Sequence, residues 1–492
     1  MRQKHRGAAV AAGWLAILML LSGCSTLPQP NTSSDTVSGE ENSGVLLPQR
    51  SSEPWLAYRA ADSLHPCRAS SRVNRQLLSL LYEGLTRVDA AWEAQAALAS
   101  AWELTDATHL TVALREGAVF SDGTPVTAED VVTSFRAAKA SSYYGSLLQN
   151  VSSVRAQDER TLTVTLTGAD PLAANALSFP VFREAGETCL GTGSYRAEGT
   201  ALVANPYAVT APAESRWELR DVSREDEMAY ALETGDIAYY FTELSEGKLP
   251  RTLGSVGQTA VTLNELLFLG VNASQKPFSE AAVRTALSAA LSRRALCTGV
   301  LQGCAVPAVT PFIPTWSGAK TLSGWSETEN VALAVAKWQE LGYNNWDAEL
   351  LVCADRPLHA EVAQELAAQC AAAGLTLQVV SVDAGEYASR IARGRFTLYL
   401  GEIRFSADLS LRPLLQAGGA ASAGVSAESR MCYSRYLAGE LSAEEFCAEF
   451  LSDMPYIPLG WRQGLGVYRT DVREVSPSGA RAYDGIEHWT VG

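Results

Sequence analysis

Histidine is scarce in this 492-residue sequence: His5, His65, His109, His359 and His488 are the only five, and they are scattered. No H-E-x-x-H pair occurs, nor a G-x-x-x-x-G-K-[ST], a G-x-G-x-x-G, a G-x-S-x-G or an EF-hand loop. These are the strongest local signatures of metalloprotease, nucleotide, hydrolase and calcium chemistry, so none of those classes gains support. C-x-x-C is missing too, which argues against zinc ribbons and thioredoxin-type redox sites. Positive charge is in deficit, 39 Lys and Arg against 54 Asp and Glu, a net −15. Such a surface repels polyphosphates, so nucleic acid and anionic headgroups are not expected as ligands. Beyond residue 22 no apolar run approaches the ~18 to 20 residues that cross a bilayer. No cofactor and no metal are expected.

What is present is the composition of a globular protein, 47% apolar and 19% charged. The length exceeds what one hydrophobic core can serve, and at roughly 150 residues per domain it gives about three domains.

The N-terminus carries Arg2, Lys4 and Arg6 ahead of a short apolar run, GAAVAAGWLAILMLLS (7–22), which reads as a secretory signal. Leu21-Ser22-Gly23-Cys24 closes that run and resembles the lipobox of bacterial lipoproteins, which implies cleavage before Cys24 and acylation of its thiol. Removal of residues 1–23 leaves 36 basic against 54 acidic residues, a balance of −18. Residues 25–54 are rich in Ser, Pro, Asn, Gly and Glu and bury too little apolar area to offset ordering entropy. They are expected to form a tether with a reach on the order of 30 Å.

Periodicity supplies the elements. Val73, Leu77, Leu80, Leu81 and Leu85 predict a helix over 72–85, with Gly84 near its end. Leu110, Val112 and Leu114 alternate along a strand, and TLTVTLTG (161–168) reads as another. Thr127 with Asp130 resembles a capping box ahead of Val131, Val132 and Phe135. From about Val261 helices and strands alternate. Ser279 is expected to open one helix, Ser326 with Glu329 another, and His359–Ala373 form a third that ends at Gly374 before LTLQVVSV. This is the pattern of an α/β domain.

One catalytic motif matches. Ser317-Gly318-Ala319-Lys320 fits S-x-x-K, but it lies in a Pro- and Gly-rich loop with no S-D-N or K-T-G after it, so a secreted serine hydrolase is the weaker alternative. Eight cysteines follow Cys24; Cys297/Cys304 and Cys432/Cys447 are close enough in sequence to pair, and buried free thiols are the equal alternative.

The block Leu81–Phe135, LYEGLTRVDAAWEAQAALASAWELTDATHLTVALREGAVFSDGTPVTAEDVVTSF, resembles the family 5 extracellular solute-binding proteins of peptide and nickel ABC importers. GTGSYR (191–196), ETGDIAYYF (233–241), LLFLGVNASQKPFSEAAVRTALSAALSRRAL (266–296) and MPYIPLGWRQGLGVYR (454–469) resemble later landmarks of that family in the same order. The resemblance covers about residues 55–492. It implies an α/β fold of the periplasmic-binding-protein type II with three lobes: a discontinuous domain I (55–66, 188–262 and 460–492), an inserted domain II (67–187) and domain III (263–459), with I and III hinged about a ligand.

The implied function is capture of a small solute, an oligopeptide first and a nickel chelate second, for delivery to a permease and its ATPase subunits. The implied setting is a lipid-anchored monomer at the outer face of a bacterial cytoplasmic membrane, with no chemistry of its own; a sensor of the same fold is a further alternative. In peptide-binding members an aspartate of domain III pairs with the ligand ammonium, and Asp408 in GEIRFSADLSLRP (401–413) is the matching carboxylate; the other reading of Asp408 is a loop or capping residue. Arg404 could fork onto a ligand carboxylate or form an ion pair with an acidic neighbour such as Glu402. Phe405 lies beside it. Tyr239, Tyr240 and Phe241 stand at the family's cleft-lining strand end, where flat rings can sandwich a solute, although an ordinary core strand accounts for at least one of them. Trp461 is a further ligand candidate, flanked by Arg462, and Asn272 is expected to hold backbone near the hinge.

Overall fold

The computed structural model describes residues 54–492 apart from 187, 223, 225, 226, 246, 248 and 251–253. The export signal, the lipidation site Cys24 and the tether up to residue 53 lie outside the described residues.

Two long strands, Val256–Val271 and Tyr456–Arg469, pair antiparallel through the middle of the main sheet. On one side the sheet continues through Tyr239–Glu243, Trp55–Tyr58, Arg216–Asp221, Ala201–Ala204 and Tyr195–Glu198. On the other it continues through Leu398–Arg404, Trp346–Cys353 and Leu375–Val382. The register of the long pair slips between Thr262 and Leu266, so the strands bend where the two halves of the sheet meet.

Each half has its own core. The strand Trp346–Cys353, the helix His359–Ala372 and the strand Leu375–Val382 form a parallel βαβ unit, whose Leu350, Leu366 and Leu375 are at most 1% exposed. Across the long strands Trp217, Tyr239 and Trp489 are fully buried in a separate cluster. Burying each side chain of this size contributes about 1.5–3 kcal/mol.

A second, four-stranded antiparallel sheet follows the order Ala99–Asp106, His109–Leu114, Thr161–Leu166, Val151–Ala156. The alternation expected from sequence holds, since Leu110, Val112, Leu162 and Val164 all point into its core. The helix Ala128–Ala140 packs there through Val131, Val132 and Phe135, and its capping box forms as expected: Thr127 Oγ1 accepts from Asp130 N, and Asp130 accepts from Thr127 N at 2.8 Å.

Three helix boundaries differ from expectation. The first helix is Arg72–Leu81, and Tyr82 is already extended, because the chain after it pairs with a neighbouring segment: Val181 N donates to Glu83 O at 2.8 Å and Leu85 N to Leu177 O at 3.0 Å. The helix Ala281–Ala290 starts at Glu280 without a side-chain cap, so Ser279 does not open it. The helix Val331–Glu340 is capped by Asn330, whose Oδ1 accepts from Leu333 N at 3.0 Å; Ser326 bonds Thr328 instead. Among several capping residues, the one directly before the apolar run prevails. All eight described cysteines are thiols; Cys297, Cys304, Cys353, Cys370 and Cys447 are buried and Cys67, Cys189 and Cys432 half-buried.

Candidate functional site

A cleft of about 1030 Å³ opens where the two halves of the main sheet meet. Its walls are the end of the helix Arg72–Leu81, the loop 192–194, the strand end Phe241–Glu243, the bend at Leu263 and Asn264, the segment Arg404–Ala407, and the turn 478–482; Arg115, Tyr143 and Tyr144 close it from the second sheet. The volume suits a solute of several hundred daltons.

The bend places Arg404. Phe405 N donates to Asn264 O at 2.9 Å, and Asn264 Nδ2 donates to Ser406 O at 3.0 Å, so the chain leaving Leu398–Arg404 is held along the cleft edge. Arg404 donates to both carboxylate oxygens of Glu243, at 2.7 and 2.6 Å, and to Glu265 at 2.6 Å. Arg72 donates to Glu243 at 3.1 Å. Burial would raise the Glu243 carboxyl, but Arg404 and Arg72 outweigh it and hold it below the ordinary range. Arg404, half-exposed at the cleft edge, is likewise held above its usual value by Glu243 and Glu265. The arginine thus takes the ion-pair role, with Glu243 and Glu265 as partners; Glu402 belongs to another network.

Phe405 and Phe241 join Arg404 in lining the cleft, whereas Asp408, Tyr239, Tyr240 and Trp461 do not. Tyr239 faces the core, donating to Ala482 O at 2.5 Å with its ring against Tyr483 and Trp489. Strand alternation turns Tyr240 to the opposite face, among Val73, Leu232 and Val467. Trp461 is 1% exposed and packs on Phe405 from behind. Arg462 next to it is fully buried and hydrogen-bonds Glu402. Asn272 donates to Gly394 O and Phe396 O, a backbone-holding role.

Asp408 is buried beneath the cleft edge. Its Oδ1 accepts from Ser406 Oγ at 2.5 Å and Ser410 N at 3.3 Å. Burial and the neighbouring Asp170 push its carboxyl up to about 6, against the pull of Ser406, Ser410 and Arg412. Arg412 is spent on Asp170, at 2.6 Å, and on Ser410. Asp408 thus lies behind the cleft wall formed by Arg404–Ala407.

Ser317 and Lys320 sit on a short 3-10 turn, and the Ser317 hydroxyl donates to Glu93, not to Lys320. Among the described residues no group of three or more His, Cys, Asp or Glu is placed to hold a metal ion.

Residues not singled out by sequence reasoning dominate one corner: Glu83, Thr192 and Arg481. Their signal was legible in part, since LYEGL and GTGSYR both stand out as motifs. Gly191 and Gly193 bracket Thr192 because a Cβ at either would come 2.0 Å from Leu81 O or 2.3 Å from Leu80 O. The loop therefore lies on the end of the first helix, with Gly193 N donating to Leu81 O at 3.0 Å.

The model of the bacterial extracellular solute-binding proteins, family 5 middle, matches residues 93–412. The chain is 26% identical over 355 residues to the glutathione-binding protein GsiB of Escherichia coli K12, covering 67% of this chain and 69% of that one. In fold it is similar to HbpA2 from Haemophilus parasuis, with TM-score 0.75, 18% identity, and 89% and 99% of the two chains covered. It is also similar to the oligopeptide-binding protein AppA of Bacillus subtilis in complex with a nonapeptide, with TM-score 0.60, 16% identity, and 90% and 100% covered. These neighbours share the multidomain type II periplasmic-binding architecture. The chain belongs to the bacterial extracellular solute-binding proteins of family 5, the receptors that supply solutes to ABC importers.

Proposed function

We propose that this receptor captures a short peptide or peptide-like solute in the cleft, between a lobe formed by 55–66, 188–262 and 460–492 and a lobe formed by 263–459, with 67–187 beside them. The carrying observation is the cleft itself: about 1030 Å³, lined by Phe241 and Phe405 and by charged groups of both signs, at the bend of the two strands that join the halves. Apolar walls with a few fixed polar groups hold a solute without reacting with it. Glutathione, which the E. coli relative binds, is a peptide of suitable size. The chain is proposed to act as a monomer, lipidated at Cys24, on the outer face of the cytoplasmic membrane, with a nickel chelate as the second ligand class.

Thermal-shift screening of di- to nonapeptide pools tests the ligand class, and mass spectrometry of solute retained on purification identifies it. A melting temperature unmoved by every pool would remove the peptide reading. Binding without turnover is expected; labelling by a fluorophosphonate or β-lactam probe that disappears in Ser317→Ala would instead establish a hydrolase. Permease and ATPase genes beside this one distinguish import from sensing.

A further inference from the structure

The cleft holds two sets of charged groups in opposite conditions. Glu243 and Arg404 satisfy each other. Glu83 and Arg481, at the corner built by the end of the first helix and the C-terminal turn, do not. Among the described residues Glu83 Oε2, Thr192 Oγ1 and Arg481 Nη1 are buried polar atoms without a hydrogen bond, and all three residues line the cleft.

Their nearby opposite charges stop short. Arg115 Nη2 stands 3.6 Å from Glu83 Oε2, and its Nη1 is used on Ala97 O at 2.7 Å. Asp484 stands 3.5 Å from Arg481 Nη1. Burial raises the Glu83 carboxyl against the opposing pull of Arg115, of the Thr192 hydroxyl that faces it without a well-formed hydrogen bond, and of Arg481. Burial lowers Arg481 in spite of Asp484, and Arg87 adds to that lowering. Each charge therefore has an ion-pair neighbour, Arg115 for Glu83 and Asp484 for Arg481, but Glu83 Oε2 and Arg481 Nη1 make no hydrogen bond to it.

The corner is rigid. Thr192 is fixed between two glycines that no other residue can replace at that contact. Arg481 ends a turn in which Ser478 N donates to Arg481 O at 2.9 Å, and a Cβ on Gly479 would come 2.0 Å from Thr262 O. Unpaired polar atoms held on rigid backbone at a cavity wall are the arrangement that rewards a complementary ligand and penalises one lacking the matching groups.

We propose that this corner is a subsite for a free α-amino-acid head group, whose ammonium donates to Glu83 Oε2 and Thr192 Oγ1 and whose carboxylate accepts from Arg481 Nη1. The inference rests on the cleft being the solute site. It moves ammonium recognition from Asp408, which is beneath the surface, to the first helix and its flanking loop.

The test uses γ-glutamyl dipeptides, which keep an intact head group, their α-linked isomers, which do not, and N-acetylated γ-glutamyl dipeptides, with affinities read by calorimetry on the full folded protein. The γ-linked set is expected to bind at least about thirty-fold tighter than the acetylated set, the loss that follows from leaving a buried charge unpaired. Glu83→Gln and Arg481→Met should each lower γ-linked binding by a similar factor, and Glu83→Gln should add little to the loss from acetylation. If a variant fails to fold, the acetylated and isomeric probes on the unaltered protein still decide. Equal binding of γ- and α-linked sets, or γ-linked binding unchanged in Glu83→Gln, would overturn the subsite and leave the receptor reading standing. No binding by any set would overturn both.

Discussion

The guanidinium of Arg404 grips the carboxylate of Glu243 with two hydrogen bonds, at 2.7 and 2.6 Å, from a strand that lies on the other side of both long central strands. The pair ties the two halves of the sheet together at the cleft edge. Arg404 is half-exposed, with 49% of its side-chain surface accessible, so the tie is screened and is worth about 1 kcal/mol. Glu243→Gln is expected to lower the melting temperature modestly at pH 7. The folded-state carboxyl is held low, so its stabilisation is present above the unfolded value and fades as pH falls. Melts at pH 7 and pH 3.5 should show the difference between variant and parent shrinking at the lower pH; a constant difference would show that the charge is not involved.

Asp408 and Glu402 have opposite linkage to pH. Asp408 is raised from its ordinary 3.8 to about 6, so between those values the unfolded chain has lost the proton and the folded chain retains it. Stability therefore falls as pH rises through this window and is level above it. Asp408→Asn keeps the acceptor for Ser406 and Ser410, and is expected to stabilise the protein by about 1–3 kcal/mol at pH 7 and by little at pH 4. Because Asp408 does not line the cleft, solute affinity in this variant should stay within a few-fold of the parent. A collapse in affinity would restore the direct ammonium role that the family resemblance implies.

Glu402 runs the other way. Burial would raise it, but His359 and Arg462 outweigh burial and bring it down to about 2 from an ordinary 4.5. Its contribution is present above pH 4.5 and lost between there and about pH 2. Removing this charge leaves fully buried Arg462 without its carboxylate, and Glu402→Gln should cost about 3 kcal/mol at pH 7. Urea titrations from pH 7 to pH 2.5 should show the two proteins converging; parallel curves would contradict the assignment.

Arg412 and Asp170, 2.6 Å apart and with 9% and 5% of their side chains exposed, join the helix Arg412–Leu415 to the loop ahead of residues 173–178. Arg412→Met strands Asp170 in a dry site and should cost about 3–5 kcal/mol, whereas Asp170→Ala leaves Arg412 with the neighbouring Asp408 and should cost less. The double variant should recover a part of this, because Asp170 is then no longer stranded and no longer repels the neighbouring Asp408. Additive losses in the double-mutant cycle would show that the two residues act separately.

What the sequence made legible was governed by the range of the physics. Local patterns carried over: Leu110–Val112–Leu114 alternate into a core, and Thr127 with Asp130 forms its box, since both depend on neighbours a few residues away. Family landmarks located Arg404, Phe405 and Phe241 on the cleft. The facing of Tyr239 and Tyr240 was not legible, because a strand of three aromatic residues offers no polar alternation to show which side is the core. Nor was the partner of Arg404, since Glu243 is 161 residues away and meets it only through sheet order. Thr192 and Arg481 are 289 positions apart by number and come together through packing alone.

The glycines around Thr192 give the sharpest test of how the cleft corner is built. A methyl group at Gly193 would stand 2.3 Å from Leu80 O and 2.6 Å from Leu81 C, both backbone atoms at the end of the first helix, so a side-chain rotation cannot relieve the contact. The loop must move outward, breaking the bond from Gly193 N to Leu81 O and carrying Thr192 away from Glu83. Gly193→Ala is therefore expected to cost about 2 kcal/mol or more and to weaken solute binding. Gly117→Ala is the reference, because its positive φ of 69° brings backbone strain with nothing within 4 Å of the added methyl. Both variants should lose stability, but only Gly193→Ala should lose affinity at temperatures where each remains folded. Equal binding by the two would mean that the loop's contact with the helix serves folding alone.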